Sequence, residues 1–272
     1  MHLQSLREQT VSISQAGMSF GMREGETIFE IARKLEQSKY MNASDFLQAA
    51  QNPSLVQDVA PGAKTLEGFL FPATYNLARH TTAAELTGMM VRKFREAMQR
   101  VSAARINGAE SGSAFLPTVT LASLVERETP NPDERPVVAG VYSNRLKKGM
   151  LLQCDPTVIY ALEQVDAYKG SLTYKDLRYD SPYNTYIHPG LPPGPIGNPG
   201  EASLRAALEP AQTDYLYFVA NTQGGHFFAA TLAEHNQNVV KYHRLLNGQP
   251  ADPPTSEAHH APVAGPNLKG KR

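Results

Sequence analysis

The sequence has little of what would assign a protein class by composition alone. Its 272 residues include one cysteine, Cys154, and no tryptophan. A single cysteine excludes an internal disulfide and provides neither a zinc site nor a redox pair. The 26 basic and 26 acidic residues balance, so net charge gives no reason to expect nucleic acid as a partner. The length is enough for a sizeable core in one or two domains.

Long apolar runs are also missing. No stretch reaches the roughly 20 apolar residues that a membrane-spanning helix needs, and the first residues are too polar for a signal peptide. We expect the chain as printed to be soluble, or to be part of a longer protein whose anchor precedes it. Proline, alanine and charge without periodicity predict a disordered tail over 249–272, in which His259 and His260 are expected to be solvated.

The first eighty residues predict a small mixed unit. Strands are expected over 11–20 and 66–75. Between them, Thr27 and Glu30 form the signature of a capping box, and Ser44 is expected to cap a second short helix. Such a unit is too small to bury its apolar faces without a neighbour.

A long helix is predicted next, from Thr82 to about Arg100. Its apolar stripe is rich in methionine, which we interpret as core packing. The stripe consists of Leu86, Met89, Met90, Phe94 and Met98. The small residues of 108–112 then predict the main domain boundary.

Beyond this boundary the pattern predicts a second mixed region, so we expect an α+β fold for the chain. Helices are expected over 117–128, 136–146, 157–163 and 202–208, with a strand over 150–153, a hairpin of strands 215–220 and 226–230, and a closing helix ending at 246. The proline- and glycine-rich segment 189–200 is expected to be an irregular loop with a function.

Glu128 is the candidate catalytic residue. At about 100° per residue it lies on the same helix face as Leu121, Leu124 and Val125, whereas Glu126 lies away from that face. A carboxyl at the rim of an apolar surface keeps its proton more readily, as a general acid must. The alternative is an ion pair with Arg135 or Arg145 that only orders the helix end, and pattern alone favours this alternative.

Polar and aromatic side chains suggest a sugar-binding surface. Gln153 and Asp155 alternate along a segment predicted to be extended, so both are expected to face one groove, although Asp155 could instead cap a helix. Aromatic rings that stack on sugars and amides that bind hydroxyl groups occur together in 183–186. Ordinary strand packing remains the alternative for them. The candidate binding residues are Gln153, Asp155, Asn144, Tyr183, Asn184 and Tyr186.

Together these segments resemble the endolytic murein transglycosylase (MltG, or YceG-like) family. The matching stretches are 24–32, 67–72, 121–129, 144–146, 152–160, 183–186, 190–196, 198–200, 217–219 and 235–236. The resemblance covers about residues 20–247. It departs at Cys154, where threonine is common, and in the C-terminal tail.

The resemblance implies a LysM-like subdomain over 11–78, a helical connector over 79–110 and a lysozyme-like catalytic domain over 111–248. It further implies cleavage of peptidoglycan glycan strands without cofactor or metal, with Glu128 as the catalytic residue. Family members normally carry an inner-membrane anchor and act in the cell envelope. Cell-wall synthases (penicillin-binding proteins) are therefore expected as partners, and nucleic acid is not.

One carboxylate suffices if the substrate assists. Ordinary glycosidases use two carboxylates, but N-acetylmuramic acid (MurNAc) carries an acetamido group that can itself attack its anomeric carbon. Glu128 would protonate the bond to N-acetylglucosamine (GlcNAc) and then deprotonate the MurNAc 6-hydroxyl, which closes a 1,6-anhydro ring. The competing hypothesis is a non-catalytic scaffold that binds peptidoglycan and organises synthases.

Overall fold

A computed structural model describes residues 17–103 and 115–250 of the chain. In chain order the helices are α1 (Ile28–Gln37), α2 (Ala43–Ala50), α3 (Ala83–Ala103), α4 (Leu116–Glu128), α5 (Arg135–Lys147), α6 (Asp155–Glu163), α7 (Glu201–Leu208) and α8 (Leu232–Leu246). The strands are β1 (Met18–Gly21), β2 (Thr74–Leu77), β3 (Tyr217–Ala220) and β4 (His226–Ala229), and two 3₁₀ turns cover Pro53–Val56 and Asp176–Arg178. The α+β prediction is confirmed.

β1 and β2 form an antiparallel pair in which Met18 lies opposite Leu77. β1 overlaps the end of the predicted strand 11–20 and extends one residue beyond it; residues 11–16 lie outside the described residues. The strand predicted over 66–75 is wrong over most of its length, because residues 66–73 form a turn with bends and irregular backbone before β2 begins. Gly68 explains the break: its φ is +88°, and a Cβ there would overlap Pro195.

The two short helices begin in different ways. Thr27 caps α1 with the full capping box to Glu30, as predicted. The prediction for Ser44 is wrong, because Asn42 is the N-cap residue of α2 and the chain is already helical at Ala43. Asn42 has the extended backbone that an N-cap residue needs, so the helix begins two residues earlier.

The methionine stripe of α3 is core, as expected. Its Leu86, Met90, Phe94 and Met98 are buried, and Met89 is partly buried against them. The same core includes apolar side chains of α1 and α2 and also Val119 and Ala122 of α4 and Leu204 of α7. The N-terminal unit thus buries its faces against later helices. The boundary predicted at 108–112 lies outside the described residues.

The later helices begin and end within two residues of their predicted bounds, and β3 pairs with β4 in the predicted hairpin with Phe218 opposite Phe228. The strand predicted over 150–153 is wrong, since Gln153 has a left-handed backbone (φ 50°) that a strand does not accommodate. Residues 251–272, most of the predicted tail, lie outside the described residues.

No helix within the two described ranges is long and apolar enough to cross a membrane.

The proline- and glycine-rich loop is largely buried and joins the two halves of the chain. Asn198 accepts hydrogen bonds from the backbone N–H groups of Gly68 and Leu70, each at 2.9 Å. Its amide donates to the backbone oxygen of Glu26 and to Glu67 Oε1, each at 2.8 Å. The loop therefore fixes the N-terminal unit against the helices that carry the candidate site.

Candidate active site

Glu128 is the last residue of α4. Pro117 stands in the first turn of this helix, where its missing N–H is tolerated, and Thr129 ends the helix with an extended backbone. The preceding Leu124 and Val125 are fully buried, whereas Glu128 is partly exposed. The helix thus places one carboxyl at the edge of the core, as predicted.

Two donors reach the same oxygen of this carboxyl. The hydroxyl of Tyr142, on α5, donates to Glu128 Oε2 at 2.8 Å. The thiol of Cys154, just before α6, lies 3.4 Å from the same oxygen. Side chains of α4, of α5 and of the N-cap residue of α6 thus meet at this carboxyl.

Burial raises the pKa of Glu128, and the negative charge of Asp155 adds to this effect. The hydrogen bonds from Tyr142 and Cys154 and the charge of His226 act in the opposite direction. The net effect favours the protonated form, which is the form that a general acid needs.

The ion-pair alternative for Glu128 is wrong. Arg135 pairs with Glu126 at 2.8 Å and with Glu24 at 3.2 Å. Arg145 donates to the backbone oxygens of Leu216 and Leu152, at 2.6 and 2.8 Å. Within the described part of the chain, Glu128 has no ion pair.

Glu126 has a different environment. Its side chain is only 4% exposed and pairs with Arg135, while its other oxygen accepts a hydrogen bond from the backbone N–H of Gly200 at 2.9 Å. Burial raises the pKa of Glu126 as well. Both of its oxygens have partners, so Glu126 connects α4 to α5 and to the start of α7.

Asp155 and Tyr186 lie together near Glu128. Asp155 is exposed and is the first residue of α6, whose N-cap is Cys154, so its alternative role as N-cap is wrong. Its Oδ1 accepts a hydrogen bond from the Tyr186 hydroxyl at 2.5 Å. Burial and this bond raise the pKa of Tyr186, which keeps the hydroxyl protonated as a donor.

Gln153 is also exposed, but strand alternation is not the reason. Gln153 has a left-handed backbone, and α6 begins two residues later. These two features set the direction of its side chain in place of the alternation of a strand. Backbone bonds hold this segment, since Gln153 N donates to the Thr185 backbone oxygen at 3.1 Å and Cys154 N donates to Thr185 Oγ1 at 3.0 Å.

The two candidate asparagines are already engaged by protein. Asn144 donates to the backbone oxygens of Thr213 and Tyr215, at 2.7 and 3.1 Å. Asn184 is fully buried and donates to the backbone oxygens of Leu177 and Tyr179, at 3.1 and 2.8 Å. These contacts shape the loops around the site, and sugar binding by either residue stays a prediction.

Tyr183 is partly buried, and its ring packs on that of Tyr160 with centroids 5.0 Å apart. The segment 183–186 is a turn, so ordinary strand packing does not explain its pattern. Burial raises the pKa of Tyr183. Its role in stacking on a sugar stays a prediction.

Both donors to Glu128, Tyr142 and Cys154, were missed in the sequence analysis. Tyr142 lies in an otherwise apolar stretch of α5, and a buried tyrosine hydroxyl usually finds a partner. The sequence therefore indicates that Tyr142 has a polar partner, but it does not identify that partner as Glu128.

No group of three or more His, Cys, Asp or Glu residues in the described ranges could hold a metal ion.

Comparison with known proteins identifies the family. The YceG-like family model matches residues 1–241. The endolytic murein transglycosylase of Bacillus subtilis (strain 168) is 44% identical over 178 residues, which are 65% of this chain and 48% of that protein. The endolytic murein transglycosylase of Streptococcus pneumoniae (serotype 2, strain D39) is 30% identical over 241 residues, which are 85% of this chain and 43% of that protein.

A comparison with solved structures supports the same family. A crystal structure of a YceG-like protein from Listeria monocytogenes matches with a TM-score of 0.67 at 34% identity, covering 86% of this chain and 80% of that one. The chain spans less than half the length of the two curated relatives. The resemblance inferred from its motifs is confirmed, and the chain belongs to the YceG-like family.

Proposed function

We propose that this chain is an endolytic peptidoglycan lytic transglycosylase. It cleaves the MurNAc-β-1,4-GlcNAc bond of glycan strands and leaves 1,6-anhydroMurNAc ends. The relatives named endolytic murein transglycosylase support the substrate and the reaction. The observation that carries the proposal is the environment of Glu128, a partly exposed residue whose carboxyl has no ion pair in the described part of the chain and whose pKa is raised by burial.

In this proposal Glu128 acts twice. Its proton passes to the glycosidic oxygen as the bond from MurNAc C1 to that oxygen breaks, and the acetamido oxygen bonds to C1. The carboxylate then takes the proton of the MurNAc 6-hydroxyl, whose oxygen displaces the acetamido oxygen from C1. No water enters, so the products together have the mass of the substrate.

The accessible side chains beside Glu128 would bind the sugars. Asp155 and Tyr186 hold each other through a hydrogen bond, and Gln153 is exposed next to them. Asn144, Asn184 and Tyr183 would contribute mainly by shaping the loops, given their protein contacts.

The finer architecture and setting are part of the same proposal. Residues 11–78 would be a LysM-like subdomain, 79–110 a connector and 111–248 a lysozyme-like catalytic domain. The shared core of α3, α4 and α7 would hold them together. The protein would act in the cell envelope, held at the inner membrane, beside cell-wall synthases.

The test is the mass of the products from purified glycan strands. Wild type is expected to yield 1,6-anhydro ends, and Glu128→Gln is expected to lose cleavage by at least about 100-fold while still binding strands in a co-sedimentation assay. Glu126→Gln, two residues away on the same helix, is the matched control and is expected to cleave.

Three outcomes would contradict the proposal. Ends that carry added water would make the protein a muramidase. Equal strand shortening by wild type and Glu128→Gln would remove Glu128 from the chemistry, and binding without cleavage by wild type would favour the scaffold hypothesis.

A further inference from the structure

The two donors to Glu128 are distributed unequally between its oxygens. Tyr142 and Cys154 both reach Oε2, and no hydrogen bond within the described ranges reaches Oε1. A carbonyl oxygen has two lone pairs, whereas a protonated carboxyl oxygen has one left to accept a bond. Two donors on Oε2 therefore leave the proton of the neutral carboxyl on Oε1.

We propose that Tyr142 is a positioning residue that anchors Oε2 of Glu128, so that Oε1 alone gives the proton and later takes it back. This inference rests on the proposed function and deepens it. In the first step the Oε1 proton passes to the glycosidic oxygen. In the second step the 6-hydroxyl proton returns to Oε1. The carboxylate formed between the two steps keeps both donors on Oε2, so the side chain need not rotate.

The surroundings of Tyr142 fit this role. The residue is 1% exposed, and its ring meets Phe218 of β3 edge-on, with centroids 5.9 Å apart. A ring held in this way presents its hydroxyl in one direction. Tyr142 is enclosed by protein, so it acts on the reaction through Glu128 and not by touching the glycan.

Cys154 is the weaker of the two donors. The residue is 1% exposed, and a thiol is a weak hydrogen-bond donor. The hydroxyl of Tyr142 is closer to Oε2, at 2.8 Å against 3.4 Å for the thiol. The stronger bond to Oε2 therefore comes from α5, through Tyr142.

The inference predicts a shift in the pH–rate profile. A general acid loses activity as the pH rises through its pKa. Tyr142→Phe removes a donor that favours the carboxylate, so the alkaline limb should move to higher pH by about one unit, with kcat lower by about tenfold and KM unchanged. Asp155 of α6, His226 of β4, Arg145 of α5 and Tyr186 also interact electrostatically with Glu128, and all four stay in place in this variant.

A rescue experiment separates positioning from packing. In the Tyr142→Phe background, Cys154→Thr should restore both kcat and the alkaline limb, because it supplies a hydroxyl donor beside Oε2. Cys154→Val has nearly the same shape as Cys154→Thr but no donor, and should restore neither. With Tyr142 present, Cys154→Thr should move the limb to lower pH, which tests the idea even if Tyr142→Phe fails to fold.

A second readout does not depend on cleavage. The pKa of Glu128 can be followed by NMR in protein labelled with ¹³C-glutamate, the resonance being identified by its loss in Glu128→Gln. Equal pKa values in wild type and Tyr142→Phe would overturn the inference. Equal behaviour of the two double variants, in which Tyr142→Phe is combined with Cys154→Thr or with Cys154→Val, would overturn it as well. If Glu128→Gln still cleaves, the proposed function fails, while the NMR titration still tests the bond itself.

Discussion

Two regions of this molecule hold a glutamate whose pKa is raised by burial, and the two glutamates have different partners. Glu67 lies between the N-terminal unit and the later helices and is 2% exposed. Its oxygens accept hydrogen bonds from Ile28 N at 3.1 and 3.2 Å, Asn198 Nδ2 at 2.8 Å and Tyr160 Oη at 3.2 Å. Glu128, at the end of α4, is partly exposed, and both of its donors reach one oxygen.

The difference shows which property distinguishes a candidate catalytic carboxyl from a structural one in this fold. Burial raises the pKa of Glu67 to about 8 and also raises that of Glu128. A perturbed pKa therefore does not distinguish them. Their hydrogen bonds do distinguish them: both oxygens of Glu67 accept bonds from protein, whereas Oε1 of Glu128 accepts none within the described ranges. An oxygen without a protein partner is the one that can exchange a proton with a substrate.

Replacing Glu67 should have the largest effect on stability. Glu67→Ala leaves three buried donors without an acceptor, and each such loss costs about 1–3 kcal/mol. We expect a loss of about 4 kcal/mol or more in the free energy of unfolding and a Tm lower by about 10 °C. Cleavage per folded molecule should stay within about twofold of wild type.

Calorimetry measures the Tm of Glu67→Ala and of Glu128→Gln and so checks whether Glu67 serves stability and Glu128 serves cleavage. Glu128→Gln should keep the wild-type Tm and lose cleavage. A Glu67 variant that is as stable as wild type but inactive would reverse the roles of the two regions.

Glu126→Gln should have the next largest effect. The substitution breaks the ion pair with Arg135, whose side chain is 8% exposed, and breaking a buried pair costs about 3 kcal/mol or more. Arg135 keeps Glu24 as a partner at 3.2 Å, which limits the loss. Urea unfolding should show the reduced stability, while cleavage at about 20 °C should change by less than about fivefold. Loss of cleavage with full stability would make Glu126 the reacting acid.

Stability should also depend on pH through Glu67. Its folded pKa of about 8 lies above the ordinary value of 4.5, so the folded state binds this proton more tightly. The resulting stability is fully present below about pH 4.5 and is lost as the pH rises towards about 8. We expect Tm to fall between about pH 5 and pH 8, and to fall less in Glu67→Gln. Equal slopes of Tm against pH in the two proteins would show that Glu67 does not contribute. The pKa values of Glu126 and Glu128 are also raised, so some slope is expected to remain in Glu67→Gln.

Local signals in the sequence predicted much of this fold. Helix periodicity located α3 to α8, and the capping box of Thr27 and Glu30 fixed the start of α1. These features depend on neighbours within about four residues along the chain. The same local geometry placed Glu128 at the edge of the core and separated it from Glu126.

Contacts between distant segments were beyond the reach of these local signals. The strand predicted over 66–75 fails because Gly68 packs on Pro195, far along the chain. Asn144 and Asn184 donate to backbone oxygens of loops, which residue type alone does not reveal, and their role in sugar binding stays a prediction. Tyr142 reaches Glu128 from the neighbouring helix. Contacts of this kind are set by how the elements pack, so no local pattern contains them.

The smallest expected effect is at the exposed edge of the Glu128 region. Tyr186→Phe removes the hydroxyl that donates to Asp155 Oδ1 and frees Asp155 to move, so a pair that would hold a sugar loses its shape. An exposed bond of this kind contributes about 0.5–1 kcal/mol, so KM for glycan strands should rise about threefold with kcat unchanged. Tyr183→Phe keeps the ring face that is expected to stack and is the matched control, with no change in KM. A roughly tenfold loss in kcat for Tyr186→Phe would mean that this hydroxyl takes part in the reaction, and Glu128 would no longer be the only proton carrier.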